Sequence, residues 1–177
     1  MSKIYSVCET SNLRAVHYAE RIWDAVADFD VENGTIGYLE NPSDEGVIHN
    51  FKAGTMAGKK PVLVHMPEWT EDTSNRLNQR KDKFVNVEGV PFRCFTLAVG
   101  DEFALSPEGF AGEPVVGQYV TVDDNGKLAI AGETAPEGAI MVGKIMRKRQ
   151  IGSTLVTKER EYGYARMMYT VKVESLA

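Results

Sequence analysis

Cysteine, histidine and long apolar runs are scarce in this 177-residue chain, and each scarcity removes a class of function. The only two cysteines, Cys8 and Cys94, stand far apart and outside any CxxC spacing, which leaves no zinc knuckle and no disulfide framework. Two unpaired thiols fit a protein made in a reducing cytosol, although one bridge between them stays open. The three histidines, His17, His49 and His65, have no Cys, His or carboxylate partner at a zinc-ligand spacing, so no metal site is expected. No apolar run approaches the roughly 18 residues that mark a membrane span. The opening Met1-Ser-Lys-Ile-Tyr-Ser-Val-Cys8 also lacks the apolar core and cleavage site of a secretory leader. Membrane attachment is therefore not expected.

Glycine is plentiful, at sixteen residues, yet it builds no nucleotide-binding motif: neither GxGxxG nor GxxxxGK[ST] occurs. Gly54-Thr-Met-Ala-Gly58-Lys59 resembles half a phosphate loop, but Lys60 stands where a magnesium-binding hydroxyl is required. Gly152-Ser153-Thr154 is not a nucleophile elbow. Asp123-Asp-Asn-Gly126 lacks the closing Glu of a calcium loop and reads as a hairpin turn. His65 and Glu68 are the one pair that permits an acid–base reading, and a strand-end histidine beside a loop explains them as well. No catalytic residue and no cofactor are expected.

What the chain does have is strand periodicity. Met167, Tyr169, Val171 and Val173 alternate with Thr170, Lys172 and Glu174, as a half-buried strand requires, and this strand is expected to close a sheet or barrel. Further strands are expected over 92–99, 102–105, 118–122, 127–130, 139–147 and 155–157, with Gly143 a bulge where the alternation slips. Asn33-Gly34 reads as a two-residue hairpin turn, and residues 47–51 and 61–65 as short strands. Residues 13–23 fit either a short amphipathic helix or an extended arm. Residues 70–84 carry an acidic start and a basic end, which suits a short helix. The expected fold is mainly β: a C-terminal β-barrel or sandwich-like domain over 91–177, preceded over 1–90 by an N-terminal arm and a smaller α+β elaboration.

Charge is banded. The net charge is −5, with local sums of −7 over 9–45, +3 over 76–98, −7 over 99–142 and +5 over 143–177. Opposite bands on neighbouring strands account for this, and so does an interface between copies or with a larger partner. Nucleic acid is not expected, because the balance is acidic and the basic runs lack interleaved aromatics. The candidate contact residues are Arg76, Arg80, Lys81 and Lys83, with Trp23 and Trp69 as anchors.

Several segments together resemble the head decoration, or cement, proteins of tailed bacteriophages. They are Lys3-Ile-Tyr-Ser-Val with Asn12-Leu-Arg-Ala-Val-His17, Asn78-Gln-Arg-Lys-Asp-Lys83, Pro91-Phe-Arg93 and Val99-Gly-Asp-Glu-Phe103. Gly117-Gln-Tyr-Val-Thr-Val122, Gly126-Lys-Leu128, Ala139-Ile-Met-Val-Gly143, Gly163-Tyr164 and Met168-Tyr169 with Val171 continue the likeness. The resemblance implies a non-enzymatic virion protein, made in the host bacterial cytoplasm and bound to the outside of the major capsid protein shell. It also implies self-association, and by analogy an N-terminal arm over 2–23. A carbohydrate- or receptor-binding β module on a virion surface is the alternative, with Trp23, Trp69, Tyr162 and Tyr164 as the aromatics available to it.

Overall fold

The computed structural model describes residues 4–42, 47–68, 80–156 and 161–177. The protein is mainly β, as expected, and its strands form two bodies. Five of them, β2 (Ile22–Val26), β3 (Ile36–Pro42), β4 (His49–Ala53), β5 (Val62–Val64) and β6 (Phe92–Thr96), close into a barrel in the order β2-β4-β3-β5-β6. The others are β1 (Cys8–Asn12), β7 (Glu102–Leu105), β8 (Phe110–Ala111), β9 (Tyr119–Val122), β10 (Leu128–Gly132), β11 (Met141–Val156) and β12 (Glu161–Leu176). They form one sheet ordered β1-β7-β12-β11-β9-β10-β8.

Period-two alternation sorts the barrel side chains into two cores. Ala25, Phe51, Val62, Val64, Phe92 and Cys94 point inward and fill the barrel. Their neighbours along the strands, Ile36, Leu63 and Phe95, point outward and pack on Leu105, Val120, Leu128 and Val171 of the sheet. One apolar cluster therefore spans both bodies. Val7, Ala104 and Met168 form a smaller cluster, with Ile151 packed against it.

Some expectations need correcting in position. Four strands of the closed barrel lie in the 1–90 stretch expected to be an elaboration and the fifth, β6, lies in 91–177, which also supplies all of the larger sheet except β1. Residue 90 is no boundary, because β1 joins the later sheet and β6 the earlier barrel. Nor is the described part of 2–23 an arm. Val7, Cys8, Leu13 and Ala15 are buried, Arg14–His17 and Ala19–Arg21 are 3-10 turns, and Trp23 lies within β2. The expected helix over 70–84 falls mostly outside the described residues, and its last part is a single 3-10 turn at Lys81–Lys83.

Asn33-Gly34 does form a turn, with the Thr35 amide donating to Glu32 at 3.2 Å, but it joins no hairpin. Val31 bridges to Asn86 while Ile36 pairs with Leu63. The reason lies in the Asn33 side chain, which is buried and exchanges hydrogen bonds with the Met66 backbone at 2.9 and 3.0 Å. The Asp123–Gly126 hairpin is present. Asp123 Oδ1 accepts from the Asn125 and Lys127 amides, and β9 and β10 run antiparallel on either side. The bulge at Gly143 is present too, between the pairs Val142↔Ser175 and Gly143↔Val173.

The two bodies are in close backbone contact at Gly126. The Ile36 amide donates to the Gly126 carbonyl at 2.8 Å. Gly126 has φ +76°, and a Cβ there would lie 2.3 Å from the Ile36 carbonyl oxygen. Gly138 has the same φ but open space around it. Gly126→Ala should therefore cost ~2–4 kcal/mol, the left-handed strain plus a backbone clash, and Gly138→Ala only about 1 kcal/mol. Urea unfolding of the two variants checks this; equal losses would mean that the contact yields at no cost.

Candidate functional site

The basic segment after residue 79 is held from within. Asp82 is fully buried, and the Arg80 guanidinium grips it through two hydrogen bonds of 3.1 and 2.8 Å. Arg166 on β12 donates to the same carboxylate at 2.7 Å and, through its other nitrogen, to Glu108 at 2.7 Å. Lys81 lies 3.7 Å from Glu68. Burial works against ionising Asp82, but the hydrogen bonds from Arg166 and Arg80 outweigh it and hold the carboxyl below its ordinary value. Arg166 and Lys81 thus tie the 80–84 segment to the rest of the fold, while Arg80 closes on Asp82 within it. Lys83 belongs to the same 3-10 turn, and Arg76 and Trp69 lie outside the described residues.

The charge bands also meet inside the chain. Glu9 of the first acidic band pairs with Arg149 of the last basic one. Glu102 and Glu108 of the second acidic band pair with Arg147 and Arg166. Lys144 and Lys148 lie over the rings of Tyr119 and Tyr169, at 4.9 and 5.5 Å from their centroids.

Trp23, another of the predicted residues, is also left accessible by the fold. In the β2–β6 register it stands opposite Cys94, so its side chain belongs to the inward-pointing set. It comes at the end of that set, where the barrel opens, and 38% of it is exposed. Its indole N–H donates to the Thr96 hydroxyl at 2.9 Å, and the His49 ring meets it edge-on at 5.1 Å. A cavity of about 210 Å3 opens here, lined by Trp23, Leu39, His49, Val62 and Thr96. A second cavity, of about 620 Å3, shares Trp23, Lys60 and Thr96 with it and runs on past Arg21 and Lys59 to Leu176.

Burial lowers the His65 pKa, with Glu68 opposing, and both His65 Nδ1 and Glu68 Oε1 are buried without a hydrogen-bond partner among the described residues. Cys8 and Cys94 are free and fully buried, in different bodies, and burial pushes both thiols far above the ordinary range. Sequence reasoning passed over His49, Thr96 and the pair Lys59-Lys60. The lysines were visible as the misfit that spoils a phosphate loop. The other two become neighbours of Trp23 only through barrel closure.

The Asp82 cluster generates a prediction about acid stability. Because its folded pKa lies below the unfolded value near ~4, the cluster stabilises the fold fully above that value. The contribution is lost as pH falls through the lower, folded value. Asp82→Asn should cost ~3 kcal/mol at pH 7 by leaving two guanidinium groups without their shared carboxylate, and should flatten the acid limb of stability. Urea midpoints between pH 7 and 3 measure both effects, and a variant with the parent's acid limb would assign that limb to other carboxylates.

No protein-family model, curated protein or solved structure matches this chain.

Proposed function

We propose that this chain is a non-enzymatic structural protein of a tailed-phage virion that docks on the outer face of the major capsid protein shell and stiffens it. The observation that carries this reading is the β11–β12 ribbon. Each strand is sixteen residues long, yet β9 pairs with β11 only at Gly143 and Lys144, and β7 with β12 only over Tyr169–Lys172. From Gly152↔Ala165 to Val156↔Glu161 the two strands pair with each other alone among the described residues. A two-stranded ribbon is marginal in water on its own, and both of its outer edges offer free backbone donors and acceptors. Such an edge suits strand addition to a neighbouring protein, and a closed lattice multiplies a weak contact of this kind into avidity. The resemblance to decoration proteins supplies the identity of the lattice and the expectation of self-association.

Arg80 is a poor probe of such docking, because reversing its charge would disturb the buried Asp82 cluster before any surface contact. The ribbon tip is the better one. Replacing residues 152–165 by a two-residue Asn-Gly turn should leave the thermal midpoint unchanged and abolish co-sedimentation with purified capsid shells. In purified virions the intact chain should stand at a fixed lattice ratio to the capsid protein, counted by quantitative mass spectrometry. A handful of copies per particle, or full binding by the shortened chain, would defeat the proposal.

A further inference from the structure

The barrel mouth has the features of a small-ligand site, and shell docking makes no use of them. Barrel mouths are favoured positions for ligands, and cavities of roughly 300–1,000 Å3 are the usual size. The two adjoining cavities, about 210 and 620 Å3, share one aromatic side chain. That side chain, Trp23, is fixed: its N–H is committed to Thr96 and its ring is buttressed by His49. An anchored, half-exposed indole offers a flat apolar surface whose rotamer has already been ordered by the fold.

Three cations line the larger cavity. Arg147, Arg149 and Arg166 are all spent in ion pairs within the chain. Arg21, Lys59 and Lys60 line the larger cavity and form no ion pair among the described residues. Glu20 lines it too, and Glu40 lines the smaller cavity. The mixture of two carboxylates with three cations disfavours a densely phosphorylated ligand, which the carboxylates would repel. It suits a ligand that carries both hydroxyl donors and a separate negative group.

We propose that the barrel mouth and its adjoining groove bind an acidic saccharide, with a pyranose ring stacked on Trp23 and its carboxylate held by Lys60, Lys59 and Arg21. Glu20 accepts from ring hydroxyls, and the open groove leaves room for the next sugar in the chain. Lysine ammonium groups on a carboxylate give charge-assisted hydrogen bonds, so affinity falls as salt rises.

The full-length chain tests this by isothermal titration with oligogalacturonate, against a neutral maltooligosaccharide of equal length and against ATP. The acidic oligosaccharide should bind saturably, and the neutral one at least about tenfold more weakly. Trp23→Ala should weaken binding about tenfold or more. Lys60→Glu alters only an exposed side chain and keeps the test alive if the tryptophan variant misfolds; it should weaken binding by a similar factor. An acidic-glycan array, screened in parallel, covers saccharides other than galacturonate. No saturable binding to any acidic glycan would overturn the proposal. So would equal affinity for ATP, or binding untouched in a folded Lys60→Glu protein.

Discussion

The approach of Ile36 to Gly126 is the constraint on which the arrangement of the molecule depends. Ile36 donates its amide to the Gly126 carbonyl and accepts, on its own carbonyl, from Gly54 at 3.0 Å. The turn of a sheet hairpin is thereby seated on a barrel strand, at a separation that leaves no space for a side chain on residue 126. With that distance fixed, the outward face of the barrel and the facing side of the sheet can share one dry cluster, from Leu63 and Phe95 to Leu105 and Val171. The barrel has an inner core of its own, but the core of the sheet is completed by the barrel's outward face. The groove between Lys60 on the barrel and Leu176 on the sheet is likewise a product of that seating.

Electrostatics then separates the parts of the molecule that hold it together from the parts left available. An excess of acid along one stretch and of base along another looks like an assembly code, but much of it is consumed in folding. Glu9, Glu102 and Glu108 each meet an arginine from β11 or β12, and these contacts tether the long hairpin to β1, β7 and the 107–109 turn, while Arg166 also reaches the 80–84 segment through Asp82. Asp82 is the most demanding member, because a fully buried carboxylate is tolerated only with its charge matched and its oxygens bonded. At the barrel mouth Arg21, Lys59 and Lys60 form no ion pair among the described residues. Their positive potential, offset in part by Glu20 and Glu40, acts on whatever enters the groove.

Local patterns in the sequence located strands and turns well and failed at closure. The Asp123–Gly126 turn is decided by a few neighbouring residues, and so is the burial of Tyr169, Val171 and Val173, but Met167 is exposed while Met168 and Thr170 are buried from the other face of the strand. The bulge at Gly143 was legible for the same reason. Asn33-Gly34 misled, because its hairpin signal is local whereas the burial of Asn33 against Met66 and Asn86 is not. The barrel was assigned to the wrong half because its five strands are short and separated by long connections, so nothing in the order of residues announces that β2 will meet both β4 and β6. The site follows the same rule. Trp23 could be nominated from its type, but Thr96 and His49 become its partners only through long-range pairing. Arg80 and Lys81 looked available only because Asp82, Arg166 and Glu68 are invisible as neighbours until the chain is folded.

The strand β12 links the two features for which function is argued. Its C-terminal end, at Leu176, lines the groove beside Trp23, and its N-terminal end, at Glu161, pairs at the free end of the ribbon. Sixteen residues in extended conformation span roughly 50 Å at ~3.3 Å each. The two surfaces lie apart, and each has its own physics: strands that pair with no third strand among the described residues at one end, a fixed indole beside Arg21, Lys59 and Lys60 at the other. Under the proposed docking the ribbon is the anchored end, which leaves the groove at the opposite end of β12 open to a ligand of its own.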